Sequence, residues 1–343
     1  MVVTCPCALS LATPVSITAA TGTLTRNGLL TTRGHALEAM AHATHIVFDK
    51  TGTLTQGHLK LSGVHTFSGM EREQALALAS LLESRSEHPV AKLLHHAATP
   101  PADRELKSVI STPGKGIEAV IDGNVYRIGS IAFVSELAGD LQSFNLHENV
   151  TSVGLCQGDQ WLAVFELEDQ IREQAPGVIR ELQQAGLQVQ LLSGDAREAV
   201  EHTAEQLGIT DYFYSQSPEN KLEHIRRLQA DGAIVAMVGD GVNDAPVLSG
   251  ADVSFAMGSG TQLAHASADM VLLSEQLNHL LSGLTMARRT MKIIRENLGW
   301  AVLYNLLALP LAASGMIAPW MAALGMSASS LVVVVNALRL RKH

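Results

Sequence analysis

The sequence predicts an α/β fold in which a doubly wound parallel sheet carries an inserted α+β domain, with transmembrane helices before and after it. Three features lead to this prediction. Apolar runs that end in Asp- or Gly-rich turns alternate with helical patterns, which is typical of a parallel sheet. A stretch of different character, residues 59–166, interrupts that alternation. Two long segments contain no charged side chain.

The two uncharged segments run from Met1 to Thr25 and from Asn297 to Leu338. The second is long enough for two helices of about 20 residues with a tight turn between them. Basic residues such as Arg26 and Arg295 flank the segments, and the positive-inside rule places them in the cytoplasm. We therefore predict one transmembrane helix in residues 1–26 and two in residues 297–338.

The parallel sheet is predicted from strand-like runs at Ile46–Phe48, Val189–Leu192 and Ile234–Val238, with helical patterns between the later ones. Strands that alternate with helices in this way form a doubly wound sheet, whose ligands bind beyond the carboxyl ends of the strands. The predicted sheet domain comprises residues 27–58 and 167–290.

Residues 59–166 are predicted to form an independent α+β insertion. A helical stretch, Arg72–Ser84, is followed there by short strands with glycine turns. The helix-rich beginning and the strand-rich remainder do not continue the alternation of the flanking regions. We therefore expect a second domain inserted into the first one.

The composition excludes some classes of protein. The net charge of −9 argues against nucleic-acid binding, which usually needs a basic surface. Three cysteines cannot build a disulfide framework. The length of 343 residues suggests two or three domains, and no secretory signal peptide precedes the first apolar segment.

The predicted chemistry is phosphoryl transfer to a carboxylate. Asp49 follows a predicted buried strand, where an aspartate can act as a covalent nucleophile toward phosphorus. Ser193 offers a hydroxyl, Lys221 offers a cation, and the turn around Asp240 offers carboxylates for Mg²⁺. The predicted catalytic residues are Asp49, Ser193, Asp195, Lys221, Asn243 and Asp244, and the predicted Mg²⁺ ligands are Asp49, Thr51 and Asp240.

The motif Asp49-Lys50-Thr51-Gly52-Thr53-Leu54-Thr55 resembles the phosphorylation signature of P-type ATPases. Together with the later motifs it resembles the core of the haloacid-dehalogenase superfamily, which implies that fold for the sheet domain. Phosphatases of that superfamily carry a second Asp two residues after the nucleophile, and this chain has Thr51 there. The resemblance therefore implies an aspartyl phosphate that persists, as a pump requires.

The segments Ser86-Glu87-His88-Pro89 and Gly114-Lys115-Gly116 resemble the nucleotide-binding signature of heavy-metal P-type ATPases. The resemblance implies that the inserted domain binds ATP, with the His and an upstream Glu at the adenine and with glycines that allow close approach of the backbone. The residues that it implies are Glu83, His88, Gly114, Gly116 and Gly129.

The transported ion is predicted from Cys5-Pro6-Cys7. Proline kinks a helix, and the two flanking thiols suit Cu⁺ and are possible ligands for Zn²⁺. Further matches to copper-transporting members, and the lack of a carboxylate in residues 297–338, favour Cu⁺ over Zn²⁺, with Ag⁺ as a chemical companion. The predicted copper ligands are Cys5, Cys7, Tyr304, Asn305, Met326 and Ser330.

The resemblance to copper-exporting P-type ATPases extends over essentially the whole chain. It implies ATP-driven export of Cu⁺ across a bacterial cytoplasmic membrane, with ATP and Mg²⁺ as cofactors and with membrane lipid and a copper-donating chaperone as partners. The Thr-Gly-Glu triplet of the actuator domain of that family does not occur in the sequence. We therefore expect a carboxyl-terminal half of a pump that lacks the actuator domain, as a split gene, a truncated gene model or a fragment would give.

Three alternatives stay open from the sequence. The first is part of a Zn²⁺ or Cd²⁺ pump. The second is a soluble phosphatase of the haloacid-dehalogenase type, which Thr51 and the apolar segments oppose. The third is a catalytically idle subunit for metal binding or assembly, which would not need Asp49, Lys221 and Asp244 to be intact, as they are.

Overall fold

The computed structural model describes residues 7–86, 89–101, 104, 106–112, 115–141, 151–240, 244–260, 262–314 and 318–341. The chain divides into two compact units. We call residues 1–54, 173–195 and 204–343 the parallel-sheet unit, and residues 55–172 with 196–203 the antiparallel-sheet unit.

The helices and strands are numbered in chain order. The helices are α1 (Cys7–Arg26), α2 (Ala36–His42), α3 (Arg72–Leu82), α4 (Pro89–Ala97), α5 (Ile131–Ala138), α6 (Ala175–Gln184), α7 (Arg197–Leu207), α8 (Pro218–Ala230), α9 (Ala245–Gly250), α10 (Gln262–Ser267), α11 (Asn278–Ala313) and α12 (Pro319–Leu338). The strands are β1 (Leu29–Thr31), β2 (His45–Asp49), β3 (Thr55–Thr66), β4 (Lys107–Thr112), β5 (Gly116–Ile121), β6 (Asn124–Ser130), β7 (Thr151–Gln157), β8 (Gln160–Ile171), β9 (Gln188–Leu192), β10 (Asp211–Phe213), β11 (Val235–Gly239), β12 (Val253–Met257) and β13 (Met270–Leu272).

The parallel-sheet unit contains a seven-stranded sheet with the order β1-β13-β12-β11-β2-β9-β10. β1 pairs antiparallel with β13, and every other pair in this sheet is parallel. The predicted fold class is therefore confirmed. Because β2 lies between β11 and β9, the residues that follow these three strands meet at one edge of the sheet.

The central strands of this sheet are covered on both faces. All five residues of β11 are buried, and so are the last four of β2. Strands that are buried on both faces read as continuous apolar runs rather than as alternating patterns. This explains why the runs at Ile46–Phe48 and Ile234–Val238 were recognisable in the sequence.

The antiparallel-sheet unit contains a six-stranded sheet with the order β3-β8-β7-β6-β5-β4, in which every pair is antiparallel. Residues of α3 and α4 form a core with this sheet, and residues of α5 form a smaller one around Trp161. The predicted insertion, residues 59–166, begins and ends inside β3 and β8, since these long paired strands continue past the change in sequence character.

Helices cover the three segments that were predicted to cross the membrane, and they differ in character. α11 begins at Asn278 and continues without a break to Ala313. Among the described residues, one helical span, Trp320–Arg341, is apolar and long enough to cross a membrane, as judged from length and composition. It comprises most of α12 and the three residues that follow it. α1 is rich in Ser and Thr, whose hydroxyls bond to carbonyls of the same helix, as Ser16 does to Ala12 at 2.7 Å.

Candidate active site

The centre of the site is a buried lysine between two aspartates. Lys221 donates to Oδ1 of Asp49 at 2.6 Å and to Oδ2 of Asp244 at 3.0 Å. Asp49 is 7% exposed, Lys221 6% and Asp244 3%. Three charged groups this deeply buried are tolerated only because they pair with one another.

Each of these side chains is positioned by the end of a regular element. Asp49 is the last residue of β2, and Asp244 directly precedes α9. Lys221 lies in the first turn of α8, whose amino terminus is capped by the hydroxyl of Ser217, which accepts from the backbone N–H of Asn220 at 3.2 Å. The carboxyl edge of the sheet thus gathers groups that are far apart in the sequence.

Asp240 directly follows β11 and lies beside the turn after β2. Gly52 has a φ of +70°, and a Cβ at this position would lie 2.7 Å from Oδ2 of Asp240. A side chain at residue 52 would therefore displace Asp240, so glycine is required both for the backbone conformation and for space. Thr51 lies in the same turn and is exposed.

The site carries more negative than positive charge. The pKa of Asp49 is raised to about 7, chiefly because burial disfavours the charged form; Lys221 opposes this rise, and the nearby Asp244 and Asp240 add to it. Burial disfavours the charged form of Lys221 as well, but Asp49 and Asp244 outweigh it, so that the pKa of the lysine is raised. One lysine among three carboxylates leaves room for a further positive charge.

This donor set fits Mg²⁺. Asp49 and Asp240 follow adjacent parallel strands and offer the hard carboxylate oxygens that Mg²⁺ prefers. Within the described ranges, no group of three or more His, Cys, Asp or Glu side chains is arranged to hold a metal ion. Mg²⁺ is usually held by one or two carboxylates and keeps several waters.

Ser193 and Asp195 follow β9 at the same edge. Ser193 is 2% exposed, and its Oγ accepts from the backbone N–H of Asp195 at 3.2 Å. The carboxylate of Asp195 forms an ion pair with Lys50. Sequence reasoning gave Lys50 no role, although its place directly after Asp49 was the available signal. Asn243, which was also predicted to be catalytic, lies outside the described residues.

The predicted nucleotide residues are described only in part. Glu83 is 6% exposed and follows the last residue of α3, whereas His88 and Gly114 lie outside the described residues. Gly116 and Gly129 are directly paired between β5 and β6. A Cβ at either would come within 2.2 Å of a backbone oxygen of the opposite strand or the turn beside it, so strand packing already requires both glycines.

Four of the six predicted copper residues lie on α11 and α12. Tyr304 and Asn305 belong to α11, and Met326 and Ser330 belong to α12. The hydroxyl of Tyr304 lies 2.7 Å from the position that a Cβ of Gly325 would occupy, which places it beside the residue before Met326. Cys5 lies outside the described residues, and nothing is described of the side chain of Cys7.

An aspartate, a lysine and further carboxylates at the carboxyl edge of a parallel sheet are the groups that the predicted phosphoryl-transfer site requires. The haloacid dehalogenase-like hydrolase family matches residues 43–252. The chain belongs to this family.

The chain is similar over its whole length to P-type ATPases. It is 38% identical to the copper-exporting P-type ATPase of Legionella pneumophila and 37% identical to a copper-exporting P-type ATPase of Mycobacterium tuberculosis. Each alignment covers 100% of this chain and 48% and 45%, respectively, of the relative. The chain thus spans about half the length of the curated relatives that it matches. The resemblance stated from the motifs is confirmed.

A solved structure gives the same relationship. The crystal structure of a zinc-transporting PIB-type ATPase in the E2.Pi state superposes with a TM-score of 0.84 at 32% identity. The superposition covers 99% of this chain and 57% of that chain. These relatives are P-type ATPases: the two curated proteins are copper exporters, and the solved structure is that of a zinc transporter.

Proposed function

We propose that this chain contributes the phosphorylation and nucleotide-binding parts of an ATP-driven pump that exports Cu⁺ across a membrane. The observation that carries the proposal is the buried cluster of Asp49, Lys221 and Asp244 at the carboxyl edge of the parallel sheet. A structural ion pair would not need an aspartate whose pKa is raised to about 7 beside two further carboxylates.

The chemistry is transfer of the terminal phosphoryl group of ATP to Asp49. A carboxylate oxygen of Asp49 attacks the γ-phosphorus, the bond from that phosphorus to the bridging oxygen breaks, and ADP leaves with the electron pair. Lys221 stabilises the negative charge that spreads over the phosphoryl oxygens. Mg²⁺ held by Asp49 and Asp240 would supply further positive charge there, which also favours the ionised nucleophile.

Ser193 and the Lys50–Asp195 pair are proposed to orient the phosphoryl group. The hydroxyl of Ser193 accepts from the N–H of Asp195, which directs its own hydrogen toward another acceptor. The ion pair holds Lys50 beside the strand end that carries Ser193. Both arrangements support the proposal that Ser193 and Lys50 donate to phosphoryl oxygens, and Asn243 is proposed as a further polar contact.

The aspartyl phosphate is proposed to persist. Thr51 occupies the position two residues after the nucleophile, and its hydroxyl does not act as a general acid or base near neutral pH. A phosphatase would need a carboxylate there to activate water. Persistence of the intermediate is therefore what distinguishes a pump from a phosphatase at this site.

The antiparallel-sheet unit is proposed to bind ATP. Glu83 and His88 would contact the adenine, and Gly114, Gly116 and Gly129 would allow the backbone to approach the nucleotide. The match of Ser86-Glu87-His88-Pro89 and Gly114-Lys115-Gly116 to the nucleotide-binding signature supports this proposal.

Copper is the proposed cargo. The side chains of Cys5, Cys7, Tyr304, Asn305, Met326 and Ser330 are uncharged without metal, and two thiolates with a thioether suit a soft monovalent ion. The copper-exporting relatives support this assignment. Zn²⁺ is the second candidate, because the solved zinc transporter has a TM-score of 0.84 to this chain. Zn²⁺ would favour nitrogen or carboxylate ligands, and residues 297–338 offer no carboxylate.

The proposed location is a bacterial cytoplasmic membrane, with both sheet units in the cytoplasm. α1, α11 and α12 are proposed to span the membrane. A copper-donating chaperone and the remaining half of a pump, which would supply the actuator domain, are the proposed partners.

The test is phosphorylation of the detergent-solubilised chain by ATP labelled at the γ-phosphate. We expect Asp49 to be labelled, Asp49→Asn to abolish the label, and Asp231→Asn to leave it unchanged, since Asp231 is an exposed residue at the end of α8. When the chain is joined to the proposed remaining half of the pump, we expect the labelling to require Cu⁺. Labelling that requires Zn²⁺ and ignores Cu⁺ would assign the chain to the second candidate.

A further inference from the structure

A series of polar contacts joins α11 to α12 along their length, and we call it the α11–α12 ladder. Arg289 donates to the backbone oxygen of Arg339 at 3.0 Å. Asn336 donates through Nδ2 to Oδ1 of Asn297 at 2.9 Å. Trp300 donates through Nε1 to Oγ of Ser329 at 3.2 Å. The residue numbers on α11 increase while those of their partners, on α12 and at Arg339 directly after it, decrease, as expected for antiparallel neighbours.

The middle of the ladder is buried and well satisfied. Asn297 is 1% exposed and Ser329 is 3% exposed. Asn297 also donates to the backbone oxygen of Val333 at 3.3 Å, so both ends of its amide reach α12. Glu296 accepts from Asn336 and from Arg339, each at 3.2 Å. The amide of Asn297 is buried and that of Asn336 is half-buried, so loss of these partners would cost free energy, which favours this alignment of the helices over its neighbours.

The ladder occupies the helix faces that carry Tyr304 and Met326, two of the predicted copper residues. On α11, Asn297, Trp300 and Tyr304 are spaced by three and four residues and therefore share one face. On α12, Met326, Ser329 and Asn336 are spaced by three and seven residues and share one face as well. The next contact beyond Trp300–Ser329 is the approach of Tyr304 to Gly325.

We propose that Asn297, Asn336, Trp300 and Ser329 are positioning residues that fix the axial alignment of α11 and α12, and thereby hold Tyr304 and Met326 at one metal site. This inference rests on the proposed function. The four residues are not proposed as ligands; they act through the alignment of the two helices.

Such a device is needed because apolar packing between the helices, such as that of Ala301 and Val333, does not by itself fix their alignment. Helices in lipid gain little from one apolar alignment over another, and a slip by one turn moves a side chain by about 5.4 Å. A metal–ligand bond is lost over a much shorter distance. In coiled coils, a single buried asparagine pair is known to specify alignment at the expense of stability, and the Asn297–Asn336 pair has the same chemistry.

The alignment is measured directly by pulsed electron paramagnetic resonance between nitroxide labels on Leu309→Cys and Val335→Cys, whose side chains are exposed. The background replaces Cys5, Cys7 and Cys156. The labels are separated by about 22 Å along the helix axes, so that an axial slip of one helix changes the distance between the labels by nearly the length of the slip. We expect Asn297→Leu and Asn336→Leu to broaden the distance distribution or shift it by up to about 5 Å. Ser327→Ala, whose hydroxyl bonds only within α12 at Ala323, is expected to leave it unchanged.

Copper binding is the second measurement, made on the chain with its native cysteines under reducing conditions. We expect Asn297→Leu and Asn336→Leu to weaken Cu⁺ binding at least tenfold while the affinity for ATP stays the same. Trp300→Phe and Ser329→Ala are milder variants that remove one hydrogen bond each. Each is expected to weaken Cu⁺ binding severalfold. Because both residues form the same hydrogen bond, the double variant is expected to bind Cu⁺ no more weakly than the more strongly affected single variant.

The outcomes separate the two proposals. An unchanged distance distribution and unchanged Cu⁺ affinity in the ladder variants, with a parent chain that binds Cu⁺, would overturn the positioning role. A parent chain that binds no Cu⁺ would count against the proposed cargo, while a changed distance distribution would still support the alignment role. If the asparagine variants do not fold, Trp300→Phe and Ser329→Ala decide the question by the same two measurements.

Discussion

The carboxyl edge of the parallel sheet and the α11–α12 pair hold their functional side chains by different means. At the sheet edge, β2 is fixed between β11 and β9 by backbone hydrogen bonds, so that charged groups such as Asp49 and Lys221 stay in place although burial opposes their charge. Two helices have no such backbone link between them, and neutral polar side chains must supply it. The backbone of a sheet thus fixes the position of buried charged groups, whereas a helix pair depends on side-chain contacts to fix the position of its functional residues.

This comparison predicts different responses to substitution. Changes at the sheet edge should alter chemistry while the fold holds, because the backbone alignment does not depend on the side chains. Changes in the helix pair should alter geometry, with smaller effects on the chemistry at Asp49.

The largest effect is expected for Lys221→Ala. It removes the cation between Asp49 and Asp244, and loss of one such electrostatic contact typically slows a reaction by about 10²–10³-fold. The rate of Asp49 phosphorylation in rapid-mixing experiments measures this effect. Lys221→Arg keeps the charge and serves as the control; equal rates for parent and Ala variant would remove the lysine from the mechanism.

Gly129→Ala is expected to destabilise the antiparallel-sheet unit by about 1–3 kcal/mol, as overpacking usually does. The new Cβ would come within 2.2 Å of the backbone oxygen of Lys115. Urea unfolding followed by the fluorescence of Trp161 measures the change, in a chain whose other tryptophans are replaced. Gly177→Ala is the matched control, because a Cβ there meets nothing within 4 Å. Equal stability of the Gly129 variant would show that the two strands can separate.

Asp49→Asn is expected to stabilise the metal-free chain increasingly as the pH rises. The pKa of Asp49 is raised to about 7 in the folded chain, above the usual value of about 3.9, so the folded state binds the proton more tightly. The free energy of unfolding of the parent therefore falls as the pH rises from about 4 to 7. The amide side chain of the variant does not titrate in this range, so the free energy of unfolding of the variant does not fall for this reason.

Denaturant unfolding in EDTA at pH 5 and pH 8 measures this difference. The advantage of Asp49→Asn over the parent should grow between these values by on the order of 1–2 kcal/mol. EDTA is needed because a bound cation would favour the ionised aspartate. A constant difference at both pH values would contradict the raised pKa.

Asp195→Asn is expected to have the smallest effect. The side chain of Asp195 is 40% exposed, and ion pairs of this kind contribute about 0–1 kcal/mol to stability. We expect the unfolding midpoint to change little and the phosphorylation rate to fall less than in Lys221→Ala. A loss as large as that of Lys221→Ala would assign Asp195 a direct part in the chemistry.

Much of the sheet edge could be predicted from the sequence. Parallel strands end at a common edge, so residues that follow buried apolar runs, such as Asp49, Ser193 and Asp240, can be placed there from the pattern alone. The pairing of Lys221 with two aspartates could not be predicted, because helical periodicity does not give the rotation of α8 about its axis.

Other features depend on contacts that the sequence does not record. The glycines at 116 and 129 were interpreted as nucleotide contacts, and the structure adds a packing reason that arises only once β5 and β6 are paired. The start of α11 at Asn278 could not be predicted either, because the charged residues between Asn278 and Asn297 form a helix as readily as the apolar residues that follow them. The ladder needs the alignment of two helices and has no signature in either one alone.

Whether Asp49 carries a persistent phosphoryl group can be decided by a chase of the labelled chain. After labelling with ATP, an excess of ADP is added to one sample and only buffer with EDTA to the other. We predict that ADP discharges the label rapidly as ATP, whereas the label in buffer decays slowly, because Thr51 supplies no general base. Rapid release of inorganic phosphate in buffer, at a rate that ADP does not increase, would overturn this mechanism and support a phosphatase.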